Sequence, residues 1–216
     1  MTEAGRKFIA VEGPIGVGKT SLAKRLAQSY GSELLLEGPD QNPFLERFYK
    51  HPRQAALSTQ LFFLFQRAQQ LQELRQTDLF QPVRVADFLI EKDRIFAQVT
   101  LDHHEYRLYE QVYQHLTVEA PVPDLVIYLQ APVDVLLERI RLRGSAYERG
   151  IERAYLEQIT QAYMQFFHFY DTAPLLIVNT AAIDLVSGDA DYQALLEQIN
   201  SLRGGRRYFN PLSMSL

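Results

Sequence analysis

The chain has 216 residues, of which 47% are hydrophobic and 12% aromatic, so it carries enough apolar side chains for one domain with a sizeable core. Its formal net charge of -4 disfavours a protein that binds mainly to a nucleic-acid polymer or to an anionic membrane surface. The absence of cysteine excludes disulfide frameworks and thiolate metal sites.

Short β-branched or leucine-rich runs alternate with helix-length segments along the chain. Near-continuous apolar strands separated by helices are typical of a parallel sheet that is covered on both faces. We predict a single α/β domain over residues 1–216, with three layers and a five-stranded parallel sheet. The predicted strands are 7–11, 33–36, 83–86, 124–129 and 175–178, and the predicted helices are 21–30, 52–76, 93–116, 133–143, 151–170 and 191–202.

No segment of the sequence looks like a targeting or membrane-spanning element. The first predicted strand is not preceded by an apolar stretch of signal-peptide length, and the most apolar windows are far shorter than the roughly 18 residues of a membrane-spanning helix. We therefore expect a cytoplasmic protein without a membrane partner. The last segment, 206–216, is interpreted either as a short strand or as disordered chain.

A phosphate-binding motif follows the first predicted strand. The sequence GPIGVGKT, from Gly13 to Thr20, matches the P-loop pattern and lies between a strand and a helix, which is the context that the motif requires. Its glycines let successive backbone amides point at an anion, and the lysine reaches the β- and γ-phosphates. The motif predicts a P-loop NTPase fold with an ATP site at Gly13, Pro14, Ile15, Gly16, Val17, Gly18, Lys19, Thr20 and Ser21.

Two oxygen ligands for magnesium are predicted next to this loop. The Thr20 hydroxyl is placed to ligate the ion, and Asp87 ends the third predicted strand, at the sheet edge that faces the phosphates. An ordinary strand-ending turn is the alternative reading of Asp87. The predicted cofactors are therefore ATP and Mg²⁺.

Arginines near the end of the helix 133–143 suggest a clamp on the transferred phosphoryl group. Arg139 and Arg143 are spaced i and i+4, on one face of that helix. We predict a small arginine-bearing lid over about 139–150. A solvated basic helix end, favoured by the helix dipole, is the alternative interpretation.

The acceptor is indicated by Glu37, which follows the second predicted strand. A carboxylate there can accept a proton from a hydroxyl group, whereas a phosphate acceptor needs no base. This favours a hydroxyl acceptor over the rival reading, a kinase of nucleoside monophosphates or of another small molecule. A second rival is a nucleotide-binding protein without turnover.

Several segments together resemble the deoxyribonucleoside kinase family, particularly the bacterial deoxyadenosine/deoxyguanosine kinases. The resemblance covers nearly the whole chain. Besides the P-loop, it rests on Glu37-Gly-Pro, on the segment 42–49, on Gln60 and Arg67 seven residues apart, and on the segments 87–97 and 143–148. It implies transfer of the ATP γ-phosphate to the 5'-hydroxyl of a deoxyribonucleoside in nucleotide salvage. It also implies a preference for purines and a homodimer formed through long helices.

The resemblance assigns roles to individual residues of this sequence. Glu37 resembles the general base, and Tyr49 and Glu148 resemble the pair that binds the sugar 3'-hydroxyl. Gln60 resembles the residue that reads the base edge, with Arg67 as its cationic neighbour. Phe96 resembles the aromatic residue that stacks on the base. For both Tyr49 and Phe96, packing in the core is the alternative.

The sequence departs from the family pattern at two places. In the family, the strand-ending acid is usually followed by Arg and Ser, but here Asp87 is followed by Phe88 and Leu89. Lys92 is the candidate replacement for that arginine, although it lacks the planar fork. In the lid, Ser145 stands where a third arginine is common, and either Arg149 or Arg141 is the candidate to compensate.

Overall fold

The computed structural model describes residues 7–76, 83–117, 120–181, 183 and 188–210. Within these residues, six strands form one sheet in the order β2-β3-β1-β4-β5-β6, and the paired strands run parallel. The α/β prediction is therefore confirmed. The strands are β1 (Phe8–Glu12), β2 (Glu33–Leu35), β3 (Arg84–Ala86), β4 (Leu125–Gln130), β5 (Leu175–Asn179) and β6 (Arg206–Phe209).

The prediction of five strands was wrong because it missed β6. This strand pairs with β5 at the edge of the sheet, where Leu175 lies opposite Arg206 and Val178 opposite Phe209. Its residues alternate between exposed and half-buried positions, so it lacks the apolar run that marks the inner strands. Of the two interpretations of the C-terminal segment, the strand holds for Arg206–Phe209, while 211–216 lie outside the described residues.

Helices cover both faces of the sheet because successive strand residues point to opposite sides. On one face, Ile9 and Val11 pack with apolar residues of α1, α6 and α8. On the other face, Phe8 and Ala10 contribute to clusters with α3, α4, α5 and α7. The helices are α1 (Lys19–Tyr30), α2 (Leu45–Lys50), α3 (Pro52–Gln76), α4 (Lys92–Thr100), α5 (His103–Thr117), α6 (Val133–Arg143), α7 (Arg153–Phe169) and α8 (Asp189–Ser201).

The predicted helix 93–116 is two helices, α4 and α5, which are separated at Leu101 and Asp102. The Asp102 carboxylate accepts hydrogen bonds from the backbone N–H groups of His104 (2.7 Å) and Glu105 (2.9 Å). The Glu105 carboxylate in turn accepts the backbone N–H of Asp102 at 3.2 Å. This reciprocal pair is a capping box, which starts α5 as a new helix. None of the helices in the described ranges is both long and apolar enough to cross a membrane.

Candidate active site

The P-loop connects β1 to α1, and its shape depends on glycine at two positions. Gly13 has φ +148°, and a Cβ there would lie 2.5 Å from the Leu129 carbonyl oxygen. Gly16 has φ +84°, and its Cβ would lie 2.8 Å from the Leu136 carbonyl oxygen. Both residues therefore combine a left-handed backbone with close contact to neighbouring backbone, which only glycine permits. The predicted ATP residues from Gly13 to Gly18 form the loop, and Lys19, Thr20 and Ser21 begin α1.

The Lys19 ammonium lies against this loop. Its Nζ donates hydrogen bonds to the carbonyl oxygens of Gly13 (2.8 Å) and Pro14 (3.2 Å). Burial and the nearby charge of Lys92 lower the pKa of Lys19 to about 8, against the opposing effect of nearby carboxylates. Because both present partners are neutral carbonyl groups, the ammonium is available to exchange them for phosphate oxygens.

Asp87 joins three parts of the site. Its Oδ2 accepts the Thr20 hydroxyl at 2.5 Å, and its Oδ1 accepts the backbone N–H of Glu37 at 2.8 Å. The two residues predicted to hold magnesium are thus in contact. Their hard oxygen donors fit an ion that takes one or two protein ligands and completes its shell with phosphate oxygens and water. No group of three or more His, Cys, Asp or Glu residues that could hold a metal occurs in the described ranges.

The Glu37 carboxylate is held by two cations. Its Oε1 accepts from Arg67 Nη2, and its Oε2 accepts from Lys92 Nζ. Burial alone would raise the pKa of Glu37, but the charges of Arg67, Lys92 and Lys19 lower it to about 2. Glu37 is therefore ionised at neutral pH, with both carboxylate oxygens occupied by positive partners.

A pocket of about 770 Å³, counted with its open mouth, lies beside the P-loop. Lys19, Thr20, Asp87, Lys92 and Arg143 line it on the phosphate side. The structure also brings all six predicted substrate-binding residues to this one pocket, namely Glu37, Tyr49, Gln60, Arg67, Phe96 and Glu148.

Gln60 and Phe96 both line this pocket. Gln60 is buried, and its Nε2 donates a hydrogen bond to the Thr100 hydroxyl at 3.3 Å. Its amide oxygen takes no part in this bond. The half-buried Phe96 ring contacts Tyr163 edge-on, with 6.1 Å between ring centroids, and it also lines the pocket. Phe96 therefore packs in the core and also forms part of the pocket wall, while its stacking on a base stays a prediction.

Glu148 and Tyr49 lie at the lid side of the pocket. The Glu148 carboxylate accepts two hydrogen bonds from Arg143, from Nε at 2.9 Å and from Nη2 at 2.5 Å. Burial raises the pKa of Glu148, although Arg143 opposes this shift. Tyr49 packs edge-on against Tyr155, with 6.4 Å between ring centroids. A carboxylate and a phenol thus face the same cavity.

The two predicted clamp arginines point to different places. Arg143 lines the pocket, whereas Arg139 donates to the Thr180 carbonyl at 2.7 Å and to the Thr180 hydroxyl at 3.0 Å. Arg139 also bonds to the Val17 carbonyl at 3.4 Å, so it connects the P-loop to the segment after β5. Although the two arginines share a helix face, their guanidinium groups contact different parts of the protein. Arg141 and Arg149, the candidates for a third lid arginine, are exposed.

Packing explains the unusual residues after Asp87. Phe88 and Leu89 are buried in the apolar clusters beneath the site. Neither side chain can supply the cation that the family usually has there. Lys92, at the start of α4, reaches the Glu37 carboxylate instead. The predicted replacement is therefore in contact with its expected partner.

Two buried carboxylates at the site escaped sequence reasoning. Asp93 lines the pocket and accepts a hydrogen bond from Arg67 Nη1. Glu12 accepts three hydrogen bonds, from the backbone N–H groups of Gly13 (2.7 Å) and Leu89 (2.9 Å) and from the Tyr163 hydroxyl (2.9 Å). The only available signal was their proximity in sequence to the P-loop and to Lys92. Glu12 links the P-loop to the segment after Asp87.

Comparison with known proteins gives consistent results. A family model described as Deoxynucleoside kinase matches residues 9–203. A deoxyguanosine kinase from Bacillus subtilis is 36% identical over 203 residues, which cover 90% of this chain and 97% of that protein. A deoxyadenosine/deoxycytidine kinase from the same organism is 29% identical over 205 residues, 90% and 92% of the respective chains. The structure of a deoxyadenosine kinase from M. mycoides with bound dCTP matches with a TM-score of 0.78 and 25% identity, covering 90% of this chain and 100% of that one.

Proposed function

Because the chain belongs to the deoxynucleoside kinase family, we propose that it transfers the γ-phosphate of ATP to the 5'-hydroxyl of a deoxyribonucleoside. The products are ADP and the deoxynucleoside 5'-monophosphate. The observation that carries this proposal is one pocket in which the P-loop residues Lys19 and Thr20 face the acceptor-side carboxylate Glu37. The reaction serves nucleotide salvage, and we expect it to take place in the cytoplasm.

The phosphate side of the site binds ATP with backbone amides and Lys19. The loop amides and the N-terminus of α1 form an anion-binding nest, and Lys19 adds a full charge near the β- and γ-phosphates. Thr20 and Asp87 would hold magnesium, which when bound neutralises charge on the phosphate oxygens. Arg143, at the pocket wall, is placed to stabilise charge on the transferred group.

Glu37 positions the acceptor hydroxyl. An ionised carboxylate accepts a hydrogen bond from the 5'-hydroxyl, orients its oxygen towards the γ-phosphorus and takes its proton late in the transfer. The pKa of about 2 leaves Glu37 ionised in the free protein, so it can accept the hydrogen bond first and the proton once transfer is under way. Lys92 holds Oε2 and so takes the place of the arginine that the family usually has after the strand-ending acid.

Gln60, Arg67 and Asp93 are suited to read a purine. Gln60 and Arg67 lie two turns apart on α3, and both line the pocket with Asp93. Asp93 Oδ2 and Arg67 Nε are buried and have no hydrogen-bond partner within the described part of the chain. A purine edge offers both donors and acceptors to such a set. The name of the more similar Bacillus subtilis relative, deoxyguanosine kinase, supports the preference for purines, whereas that of the other relative combines a purine and a pyrimidine nucleoside.

The test of this function is ADP release by the purified protein with ATP and magnesium. The panel comprises deoxyadenosine, deoxyguanosine, deoxycytidine, thymidine and the matching monophosphates. We expect turnover with purine deoxynucleosides to exceed turnover with the pyrimidines. Activity with monophosphates alone would instead identify a nucleoside-monophosphate kinase, and nucleotide binding without any turnover would identify a non-catalytic protein.

Glu148 and Tyr49 are proposed to bind the sugar 3'-hydroxyl, which gives a prediction for Glu148→Gln. A neutral amide makes a weaker hydrogen bond to the 3'-hydroxyl than the carboxylate does. A 2',3'-dideoxynucleoside has no 3'-hydroxyl, so this hydrogen bond is absent with either residue at position 148. We expect kcat/KM for the deoxynucleoside to fall about 10- to 100-fold, as for a hydrogen bond to a charged group. The value for the dideoxynucleoside should change far less. Equal losses for both substrates would contradict this role; Glu152→Gln, at an exposed position, is the control.

We also propose that the protein is a homodimer formed through α3 and α5. These helices pack together, and each exposes a large apolar side chain, Phe65 (54% exposed) and Leu108 (49% exposed). Burying such side chains against a second copy is favourable. We expect light scattering to give the mass of two chains, and Phe65→Glu to give the mass of one; a monomeric wild-type protein would contradict the proposal.

A further inference from the structure

The proposed catalytic carboxylate and the proposed base-reading cation are bonded to each other. Arg67 is 2% exposed and bridges two carboxylates, with Nη2 donating to Glu37 Oε1 and Nη1 to Asp93 Oδ1. Lys92 Nζ holds the other oxygen of Glu37 at 2.5 Å. In this state neither oxygen of Glu37 is free of a cationic partner.

The same guanidinium belongs to the part of the pocket that would receive the base. It lies 5.0 Å from the centroid of the Phe63 ring, and Phe63 and Gln60 line the pocket with it. A guanidinium is a rigid planar fork whose N–H directions are fixed relative to one another. Turning Nη2 towards an acceptor on a base therefore takes it out of line with Glu37. The bond from Nη1 to Asp93 can keep the buried charge compensated during this turn.

We propose that Arg67 is a positioning residue that weakens Glu37 as the proton acceptor of the acceptor site until a nucleobase engages its guanidinium. This inference rests on the proposed function and adds a coupling between base recognition and transfer. A bound base releases Glu37 Oε1 for the 5'-hydroxyl, while Lys92 continues to hold Oε2. Base contacts thus contribute to kcat and not only to KM.

The coupling also protects ATP when the nucleoside is absent. In the hydrolysis that it suppresses, a water oxygen bonds to the γ-phosphorus and the bond from that phosphorus to the bridging oxygen breaks, releasing ADP. The water proton passes to Glu37 Oε1 and then to solvent, and inorganic phosphate is the second product. With Oε1 bonded to the Arg67 cation, one of its lone-pair sites is occupied and its basicity is lowered, so a water molecule at the acceptor position meets a weaker proton acceptor.

The first test uses the wild-type protein and a base without its sugar. Adenine at saturating concentration should raise the rate of nucleoside-independent ATP hydrolysis about tenfold. This increase is smaller than the usual contribution of a general base, because Lys92 still holds Oε2 of Glu37. Indole, which has a similar shape but no ring acceptor nitrogen, should not raise it. In Glu37→Gln, adenine should have no effect. The readout is ADP release with ATP and magnesium.

The second test removes the bridge without leaving a buried charge unpaired. Removing Arg67 alone would strand Asp93, so the variant is Arg67→Met with Asp93→Asn. We expect its basal ATP hydrolysis to exceed the wild-type rate about tenfold, with no further rise on adding adenine. Adding Glu37→Gln should return the rate to the wild-type level or below. A residue that serves folding alone would not produce a gain in rate.

The outcomes separate this inference from the proposed function. If no deoxynucleoside is phosphorylated, the proposed function fails and the coupling with it. If deoxynucleosides are phosphorylated but adenine leaves wild-type hydrolysis unchanged, the coupling alone is overturned. Unchanged basal hydrolysis in a folded double variant would overturn it as well. If the double variant does not fold, the adenine experiment on the wild-type protein decides.

Discussion

Replacement of Glu37 by glutamine is expected to lower kcat for deoxynucleoside phosphorylation by about 10²- to 10⁴-fold, the usual contribution of a positioned general base. Glutamine has nearly the same shape, but it cannot take the proton of the 5'-hydroxyl. It also fails to balance the charges of Arg67 and Lys92, both of which bond to the Glu37 carboxylate. The measurement is kcat with saturating ATP and the best deoxynucleoside of the panel.

Two controls make the Glu37→Gln result interpretable. Glu46→Gln changes a carboxylate on the exposed side of α2, where it pairs with Lys50, and should retain wild-type turnover. Chemical denaturation should show that Glu37→Gln remains folded, because a buried charge left without its partner can also destabilise the protein. A folded variant with wild-type kcat would exclude Glu37 as the catalytic carboxylate.

Replacement of Lys19 by methionine is expected to lower kcat/KM for ATP by at least about 10²-fold, on the scale of losing one preorganised group that stabilises the transition state. Methionine keeps most of the length of the side chain and removes its charge. The hydrogen bonds from Lys19 to the Gly13 and Pro14 carbonyls show that Nζ already lies against the loop that would hold the phosphates. Initial rates over a range of ATP concentrations measure the effect.

Lys24→Met is the matched control for this experiment. It lies on the same helix, α1, but on the exposed surface and outside the pocket. The same chemical change there should leave kcat/KM for ATP close to the wild-type value. If Lys19→Met retained full activity while remaining folded, phosphate binding at this loop would have to rely on the backbone amides alone.

Local signals predicted the parts of the site that a continuous segment can form. The P-loop needs a strand, three glycines and a helix start in one stretch of chain, so its place between β1 and α1 followed from the sequence. The inner strands were predicted for a similar reason, because burial on both faces requires an apolar run. The capping box at Asp102 and Glu105 was also a local signal, and overlooking it produced one predicted helix instead of two.

Other features were decided by contacts between distant segments. The ladder between β5 and β6 fixed an edge strand that had no apolar run of its own. Arg139 and Arg143 share a helix face by their spacing, but Arg139 donates hydrogen bonds to Thr180, which follows β5, and does not line the pocket. Helix periodicity predicts which residues share a face and not which partner each long side chain reaches.

Patterns in the sequence were enough to predict the α/β class, the P-loop, the family resemblance and the set of residues that would surround a nucleoside. The bridge from Arg67 to Glu37 and Asp93, and the second cation that Lys92 supplies at Glu37, became visible in the folded chain alone. These ion pairs link α3, α4 and the segment after β2. Their formation depends on how these elements pack and on burial that excludes water, because a desolvated charge must find a partner within reach.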